Sequence, residues 1–229
     1  MKTPLIYANR GASGEYTEMT RKAYEAAISQ SADGFECDVR LSKDNELILW
    51  HDDDMTRVAN CELAIASSTK EELLKQFPIM TASELLDLAI EYKKDIAYET
   101  KHPVPTRGAV EKSLIQLLES RRKEIESAGI GISIMSFSWW ATRKIQRSPW
   151  PAVSLVWNKR GVVFSSTPII ALEVDQVRKD SQLVRRLQSR GKRVYVWTVN
   201  SPEDARLMRD SSVDVIISDF PSMIRKALE

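Results

Sequence analysis

The sequence predicts an α/β fold, a single-domain (β/α)8 TIM barrel over residues 1–229, and three observations predict it. Short apolar, β-branched runs alternate with longer stretches of helical period, as parallel βα units do and sandwiches do not. Eight such runs can be counted, which suits a closed barrel. The 229 residues match the roughly 200–250 that one barrel needs, although two small domains would also fit that length. No Pro/Gly/Ser linker divides the chain and no internal repeat is visible, which leaves one domain.

The strand candidates are, in order, Leu5–Ala8, Phe35–Leu41, Ile96–Lys101, Gly131–Phe137, Ala152–Val156, Ala171–Val174, Val194–Thr198 and Val215–Ser218. Amphipathic segments fall between them at Arg21–Gln30, Ser83–Tyr92, Val110–Ala128, Gln182–Arg190, Pro202–Arg209 and Ser222–Leu228. Ser201-Pro202 offers an N-cap followed by proline at the first helical position, with Glu203 and Asp204 in the positive first turn. Gly129 and Gly191 are helix stops. Glu46–Trp50 breaks the alternation: it reads as a strand antiparallel to its predecessor, joined by the turn Lys43-Asp44-Asn45. His51–Ala82 then reads as an irregular excursion before the next helix, and a shortened βα unit is expected between Trp157 and Pro168.

Composition narrows the function classes. Apolar residues make up 43% and charged residues 28%, ordinary for a globular chain and unlike a disordered or fibrous one. With a formal net charge of +1 and the two signs interleaved, no electrostatic footprint for nucleic acid is present. The runs Arg121-Arg122-Lys123 and Arg185-Arg186 read as solvated helix faces. Two cysteines, Cys37 and Cys61, are too few for a disulfide framework and read as reduced structural thiols. The apolar stretch in Met1–Asn9 is too short for a signal peptide, and no run approaches the ~18 apolar residues of a membrane helix. The expectation is a cytoplasmic protein whose mature form is the whole chain, without stable membrane insertion and with its oligomeric state open.

Chemistry concentrates in a few places. Glu36 and Asp38 are two apart on a predicted strand, so both point to one side while Cys37 points to the other. Glu-x-Asp alone would also suit two exposed carboxylates on an edge strand. Its context is a strand flanked by apolar residues and followed, one hairpin later, by Leu47-Ile-Leu-Trp-His51-Asp52. Converging carboxylates suit a hard divalent cation and would repel one another without a cation or basic partner. Glu99 and Lys101 repeat the two-residue spacing at the end of Ile96-Ala-Tyr-Glu-Thr-Lys. A third carboxylate completes an oxygen-rich shell for Mg²⁺ or Ca²⁺, with Lys101 free for a phosphate; a buried Glu–Lys ion pair is the competing reading. Directly after the first strand, Asn9-Arg10-Gly11-Ala12-Ser13-Gly14 would present the Arg10 fork to phosphate.

The order of these pieces resembles the glycerophosphodiester phosphodiesterase family: Asn9-Arg-Gly-Ala-Ser-Gly, Glu18-Met-Thr20, Ala32-Asp-Gly-Phe-Glu36-Cys-Asp38-Val, His51-Asp52, Glu99-Thr-Lys101, Ser136-Phe137, Val196-Trp197-Thr-Val-Asn200 and Val213-Asp-Val-Ile-Ile-Ser-Asp-Phe-Pro221. The resemblance covers nearly the whole chain and is weakest between Trp157 and Ala171. It implies metal-dependent hydrolysis of a small glycerophosphodiester to glycerol 3-phosphate and an alcohol. It makes Glu36, Asp38 and Glu99 metal ligands, Arg10 and Lys101 phosphate contacts, and His51 a catalytic acid or base.

Two departures stand out. Where the family has a His-Arg-Gly motif this chain has Asn9, which can hydrogen-bond a phosphoryl oxygen but cannot exchange a proton near neutral pH. Reduced activity, or binding without turnover, is therefore expected. Glu18-Met19-Thr20 stands where the family reads Pro-Glu-Asn-Thr; Glu18 is expected to orient Arg10 or to lie near the metal, with a capping glutamate in the first turn of the following helix as the alternative. His102, the only other histidine, is expected beside the site rather than in it. Trp197 is expected to wall the barrel mouth against a glycerol moiety, with core packing as the alternative, while Trp139, Trp140 and Trp150 are assigned to packing or surface. Lysophospholipase D-like chemistry would need an apolar apron at the mouth, which Asp53–Ala82 does not supply.

Overall fold

The computed structural model describes residues 3–104, 108–158, 161–162 and 165–229. Eight parallel strands close on themselves: β1 (Leu5–Asn9), β2 (Gly34–Leu41), β6 (Asp95–Thr100), β7 (Ile132–Ser136), β8 (Ala152–Val156), β9 (Ile169–Glu173), β10 (Arg193–Trp197) and β11 (Val215–Ser218). They neighbour one another in that order, and β1 pairs with both β11 and β2, so no parallel edge is left open. β3 (Leu47–Leu49) returns antiparallel on β2, the hairpin expected there. β4 (Asp54–Met55) and β5 (Cys61–Ala64) form a separate two-stranded hairpin.

The two-residue period of each strand sorts its side chains. Tyr7, Ala97, Met135, Val153, Leu155, Ala171, Tyr195 and Ile217 point inward and fill the lumen. Phe35, Cys37, Val39, Tyr98 and Ile134 point outward against helical Ala27, Leu85, Leu86 and Leu114. The lumen is thus a packed core that leaves chemistry to its carboxyl end. At its amino end the Tyr7 hydroxyl donates to Asp95 Oδ2 at 2.7 Å.

Helix starts follow local chemistry. Thr81 caps the helix Ala82–Tyr92 in a capping box: its hydroxyl accepts from Glu84 N at 3.2 Å, and Glu84 Oε2 accepts from Thr81 N at 2.8 Å. Ser201 accepts from Asp204 N at 3.1 Å ahead of Pro202–Asp210, as Ser201-Pro202 announced.

Several boundaries differ from expectation. The segment read as one helix over 110–128 is two, Ala109–Ser120 and Arg122–Ala128, broken at Arg121 (φ −106°, ψ 10°). Arg121 bonds Asp87 on the neighbouring helix at 2.9 Å, a tertiary tie with no local signal. β9 begins two residues earlier than read, directly after Pro168, and ends at Glu173 because Val174 already opens the helix Val174–Lys179. The excursion over 51–82 is more ordered than expected. It carries the β4–β5 hairpin and the helices Thr56–Ala59 and Lys70–Leu74 around its own core of Ile48, Trp50, Met55, Ile65, Leu73 and Ile79. The unit expected between Trp157 and Pro168 lies partly outside the described residues. Among the described residues, no helix is long and apolar enough to cross a membrane.

Candidate active site

Register brings the sequence-selected residues to one end of the barrel. Asn9 pairs with Glu36 across β1 and β2, and Asp38 with Glu99 across β2 and β6. Inward alternation then places Glu36, Asp38 and Glu99 so close that one oxygen from each lies within 4.8 Å of the others, and all three are buried. After β1 the chain turns sharply through two left-handed residues, Arg10 (φ 55°) and Gly11 (φ 82°). A Cβ at Gly11 would meet the Ala23 backbone carbon at 2.7 Å, so only glycine fits. The turn sends the Arg10 side chain back over the carboxylates.

Arg10 Nε lies 2.8 Å from Asp38 Oδ2; Lys101 Nζ lies 3.2 Å from Asp38 Oδ1 and 2.8 Å from Glu99 Oε1. The burial of these charges sets their proton affinities. Burial raises the Asp38 carboxyl, but Arg10, Lys101 and His51 outweigh it and hold the group below its ordinary value. Glu36 is pushed well above its ordinary range by burial and by Asp38. Glu99 is pushed up to about 7 by burial and Asp38, against the pull of Lys101. Two cations and three carboxylates leave the cluster one negative charge in excess when all are ionised. Neither Asp38 oxygen has hydrogen-bond alignment to a donor among the described residues, although both touch cations.

His51 follows β3 and is fixed from two sides. The half-buried fork of Arg40 donates to the His51 carbonyl from Nε (3.1 Å) and Nη2 (2.8 Å). The ring Nδ1 lies 2.7 Å from Asp52 Oδ1. Because a carboxylate only accepts, Nδ1 carries the proton and Nε2 is left with its lone pair. Burial, with Arg10 and Lys101 nearby, lowers the imidazole below its ordinary value despite Asp38 and Asp52. A neutral ring with a free Nε2 is suited to take up a proton.

Asn9 occupies the mouth on the opposite chain segment, where its Nδ2 donates to Asp219 Oδ1 at 2.7 Å. Asp219 also accepts from the Ser13 hydroxyl at 3.0 Å and from Asn200 Nδ2 at 2.5 Å. Glu18 lies 3.4 Å from Arg10 Nη1, the contact that orienting Arg10 would need, and Thr20, not Glu18, caps the helix Arg21–Ser29. His102 points away from the cluster, its Nε2 2.6 Å from Oε1 of the buried Glu111.

The cavity enclosed by Asn9, Arg10, Glu36, His51, Glu99 and Lys101 holds about 200 Å³. Its far wall is aromatic: Trp197, Trp157 and Phe137 meet there, with Phe137 stacked on Trp157 at 4.8 Å and Trp197 edge-on to Trp157 at 4.8 Å. One side is charged and the other apolar, which suits an amphipathic phosphodiester. An adjoining cleft of about 270 Å³ behind Phe137 and Trp157 has no ionisable side chain among its described lining, so the charged groups gather around the smaller cavity.

Sequence reasoning missed Asp219, Asn200, Phe137 and Trp157. Asp219, Asn200 and Phe137 lie inside motifs already picked out, so their signal was present; Trp157 gave none. Trp139 and Trp140 are exposed, as assigned, and Trp150 is half-buried.

Comparison with known proteins agrees with this geometry. Residues 10–223 match the Glycerophosphoryl diester phosphodiesterase family. The probable glycerophosphodiester phosphodiesterase 1 of Mycobacterium tuberculosis is 29% identical over 99% of this chain and 93% of its own length. A glycerophosphodiester phosphodiesterase of Caldanaerobacter subterraneus is 27% identical over 98% and 97%. Among solved structures, an Oleispira antarctica phosphodiesterase in complex with the product sn-glycerol-3-phosphate superposes with a TM-score of 0.87 at 20% identity, covering 99% of this chain and 97% of that one. The glycerophosphodiester phosphodiesterase of Thermotoga maritima does so at 0.83 and 22%, covering 99% of each, and at such identities these two speak for the barrel alone. With its family match running through nearly every strand of the barrel, this chain belongs to the glycerophosphoryl diester phosphodiesterase family.

Proposed function

We propose that the chain hydrolyses glycerophosphodiesters to glycerol 3-phosphate and an alcohol, using a divalent cation held by Glu36, Asp38 and Glu99. The observation that carries this reading is the meeting of three buried carboxylates, two cationic groups and an oriented imidazole around one cavity. The donor set fits a cation: the ligands are all oxygen, two of the carboxyls are pushed toward protonation by burial and by Asp38, and the Asp38 oxygens lack aligned donors among the described residues. Hard oxygen ligands suit Mg²⁺ and Ca²⁺ alike. Such a cation, when bound, offsets negative charge on the phosphoryl oxygens.

The protein's own groups do the rest. Arg10 offers a planar fork and Lys101 a point charge to the phosphate. His51 Nε2 accepts a proton from the attacking water as its oxygen bonds to phosphorus, and that proton is returned to the alcohol oxygen as the second P–O bond breaks. Asp52 holds the ring in the tautomer this requires. The glycerol and alcohol carbons lie against Trp197, Trp157 and Phe137. Asn9 can donate a hydrogen bond but moves no proton, so turnover is slow, by ~10²- to 10⁴-fold where one positioned acid or base is lost. A cytoplasmic setting and a small soluble substrate belong to this reading.

Its test is glycerol 3-phosphate release measured with Mg²⁺, with Ca²⁺ and after chelation. Slow, cation-dependent release is expected. Release unaffected by chelation would refute the cation's part. Tight binding of a glycerophosphodiester in calorimetry without any release would favour a homologue that binds and does not turn over.

One observation favours a second reading, lysophospholipase D-like cleavage. The apolar apron absent from residues 53–82 is supplied elsewhere, by exposed Phe137 and Trp157 on the cavity wall and Trp139 on the adjoining cleft, with exposed Trp140 against Trp139. Faster release from a lysophospholipid than from its deacylated counterpart would support it.

A further inference from the structure

We propose that Arg57, in the excursion after β3, is a positioning residue that locks the proton-transferring imidazole and the phosphate fork into one rigid unit. The proposal rests on the functional reading above and goes beyond it. Arg57 sits on the four-residue helix Thr56–Ala59 inside the β4–β5 hairpin. Its Nε donates to Asp52 Oδ2 at 2.6 Å, while Nη1 and Nη2 donate to the two Glu18 oxygens at 3.0 and 2.6 Å.

Each carboxylate has a second partner inside the site. The other Asp52 oxygen holds His51 Nδ1 at 2.7 Å, and Glu18 faces Arg10 Nη1 at 3.4 Å. The chain of contacts therefore runs His51, Asp52, Arg57, Glu18, Arg10, from the imidazole to the fork, without leaving side chains. Among the described residues, Asp52 without Arg57 would keep only the imidazole and could swing away with it, and Glu18 would keep only its two long contacts to Arg10 Nη1, at 3.4 Å each. A planar fork holds Asp52 and both Glu18 oxygens in fixed directions at once, whereas an ammonium is a point charge with no fixed donor directions.

The hairpin itself is held to the barrel independently of these charges. Trp50 Nε1 donates to the Asp54 carbonyl at 2.7 Å, Asp54 Oδ1 accepts from Thr56 N at 2.8 Å, and Met55 and Ile65 are buried in the local core. Arg57 is half exposed, so its ion pairs contribute little to stability; their effect is on orientation. The excursion thus has a task, to deliver one guanidinium to the barrel mouth.

The test compares Arg57→Ala and Arg57→Lys with Arg122→Ala, an arginine paired to Glu119 away from the site. Nitrogen-15 NMR reads the imidazole tautomer directly, and the chain has only two histidines, so a His102→Asn background leaves His51 alone in the spectrum. The Nδ1–H form should dominate in the parent and in Arg122→Ala, and give way to a mixture in Arg57→Ala. In turnover, Arg57→Ala should lose about 10- to 100-fold in kcat, the size found when a carboxylate that orients a histidine is removed. Added guanidinium should restore part of that loss and Arg57→Lys only a fraction. A dominant Nδ1–H tautomer retained in Arg57→Ala would overturn the proposal. Absence of turnover in every protein, with the tautomer change present, would instead refute hydrolysis and leave the positioning role standing.

Discussion

Glu36 shows at the scale of one residue how a functional cluster costs stability. Its carboxyl is raised by burial and then by Asp38, so the cation-free protein pays for ionising it beside two other acids. Glu36→Gln keeps the shape and removes that repulsion. Without added metal its Tm should exceed the parent's, while the stabilisation by Mg²⁺ or Ca²⁺, about 2.7 kcal/mol at a hundredfold excess over Kd, should be lost. Thermal unfolding with and without the cation checks both; a Tm that falls in Glu36→Gln without metal would contradict the electrostatic argument. Asp38→Asn should behave oppositely. It removes the one carboxylate that touches both Arg10 and Lys101 and leaves them Glu18 and Glu99, so stability should fall in urea unfolding, by less than the roughly 3–5 kcal/mol of a buried charge left wholly unpaired.

Elements of the barrel draw their stability from ties that are separable from the site. Asp204, in the first turn of Pro202–Asp210, accepts from Arg178 Nε and Nη2 at 2.7 and 2.5 Å and from the Ser201 hydroxyl at 2.6 Å. The Arg178 bonds and then the Ser201 bond hold its carboxyl below the ordinary value, against partial burial. A depressed folded-state pKa means that this stability is fully present above the unfolded value near ~3.9 and fades as pH falls through the lower folded value. Asp204→Asn should therefore lower Tm at pH 7, and the gap to the parent should shrink below about pH 4. A gap unchanged at pH 3 would contradict the assignment. Element existence was legible where periodicity ran long, as in Ala82–Tyr92 and Pro202–Asp210, and where a strand stood clear, as in Ala152–Val156. It was not legible where helices are too short for the period to show, as in Trp139–Ile145 and Val174–Lys179, or where a tie such as Arg121 to Asp87 breaks one.

For the whole molecule, closure is what makes the site. Glu36 and Asp38 could be assigned to one side of a strand from their spacing, and Glu99 and His51 from neighbouring motifs. Their partners could not be assigned, because Asn9 meets Asp219 across 210 residues and Arg57 meets Glu18 across 39. Those contacts exist only once β1 is sealed between β2 and β11. Closure also gives Asn9 a meaning its side chain alone lacked. Asp219 stands to residue 9 much as Asp52 stands to His51, a carboxylate placed to orient a ring nitrogen, while asparagine fills the place. In the proposed function a hydrolytic site persists here with one proton-transfer group missing. The direct measurement is glycerol 3-phosphate release by Asn9→His beside the parent, in Mg²⁺ or Ca²⁺ and after chelation. A cation-dependent gain of ~10²- to 10⁴-fold is expected. No cation-dependent release from Asn9→His would contradict it.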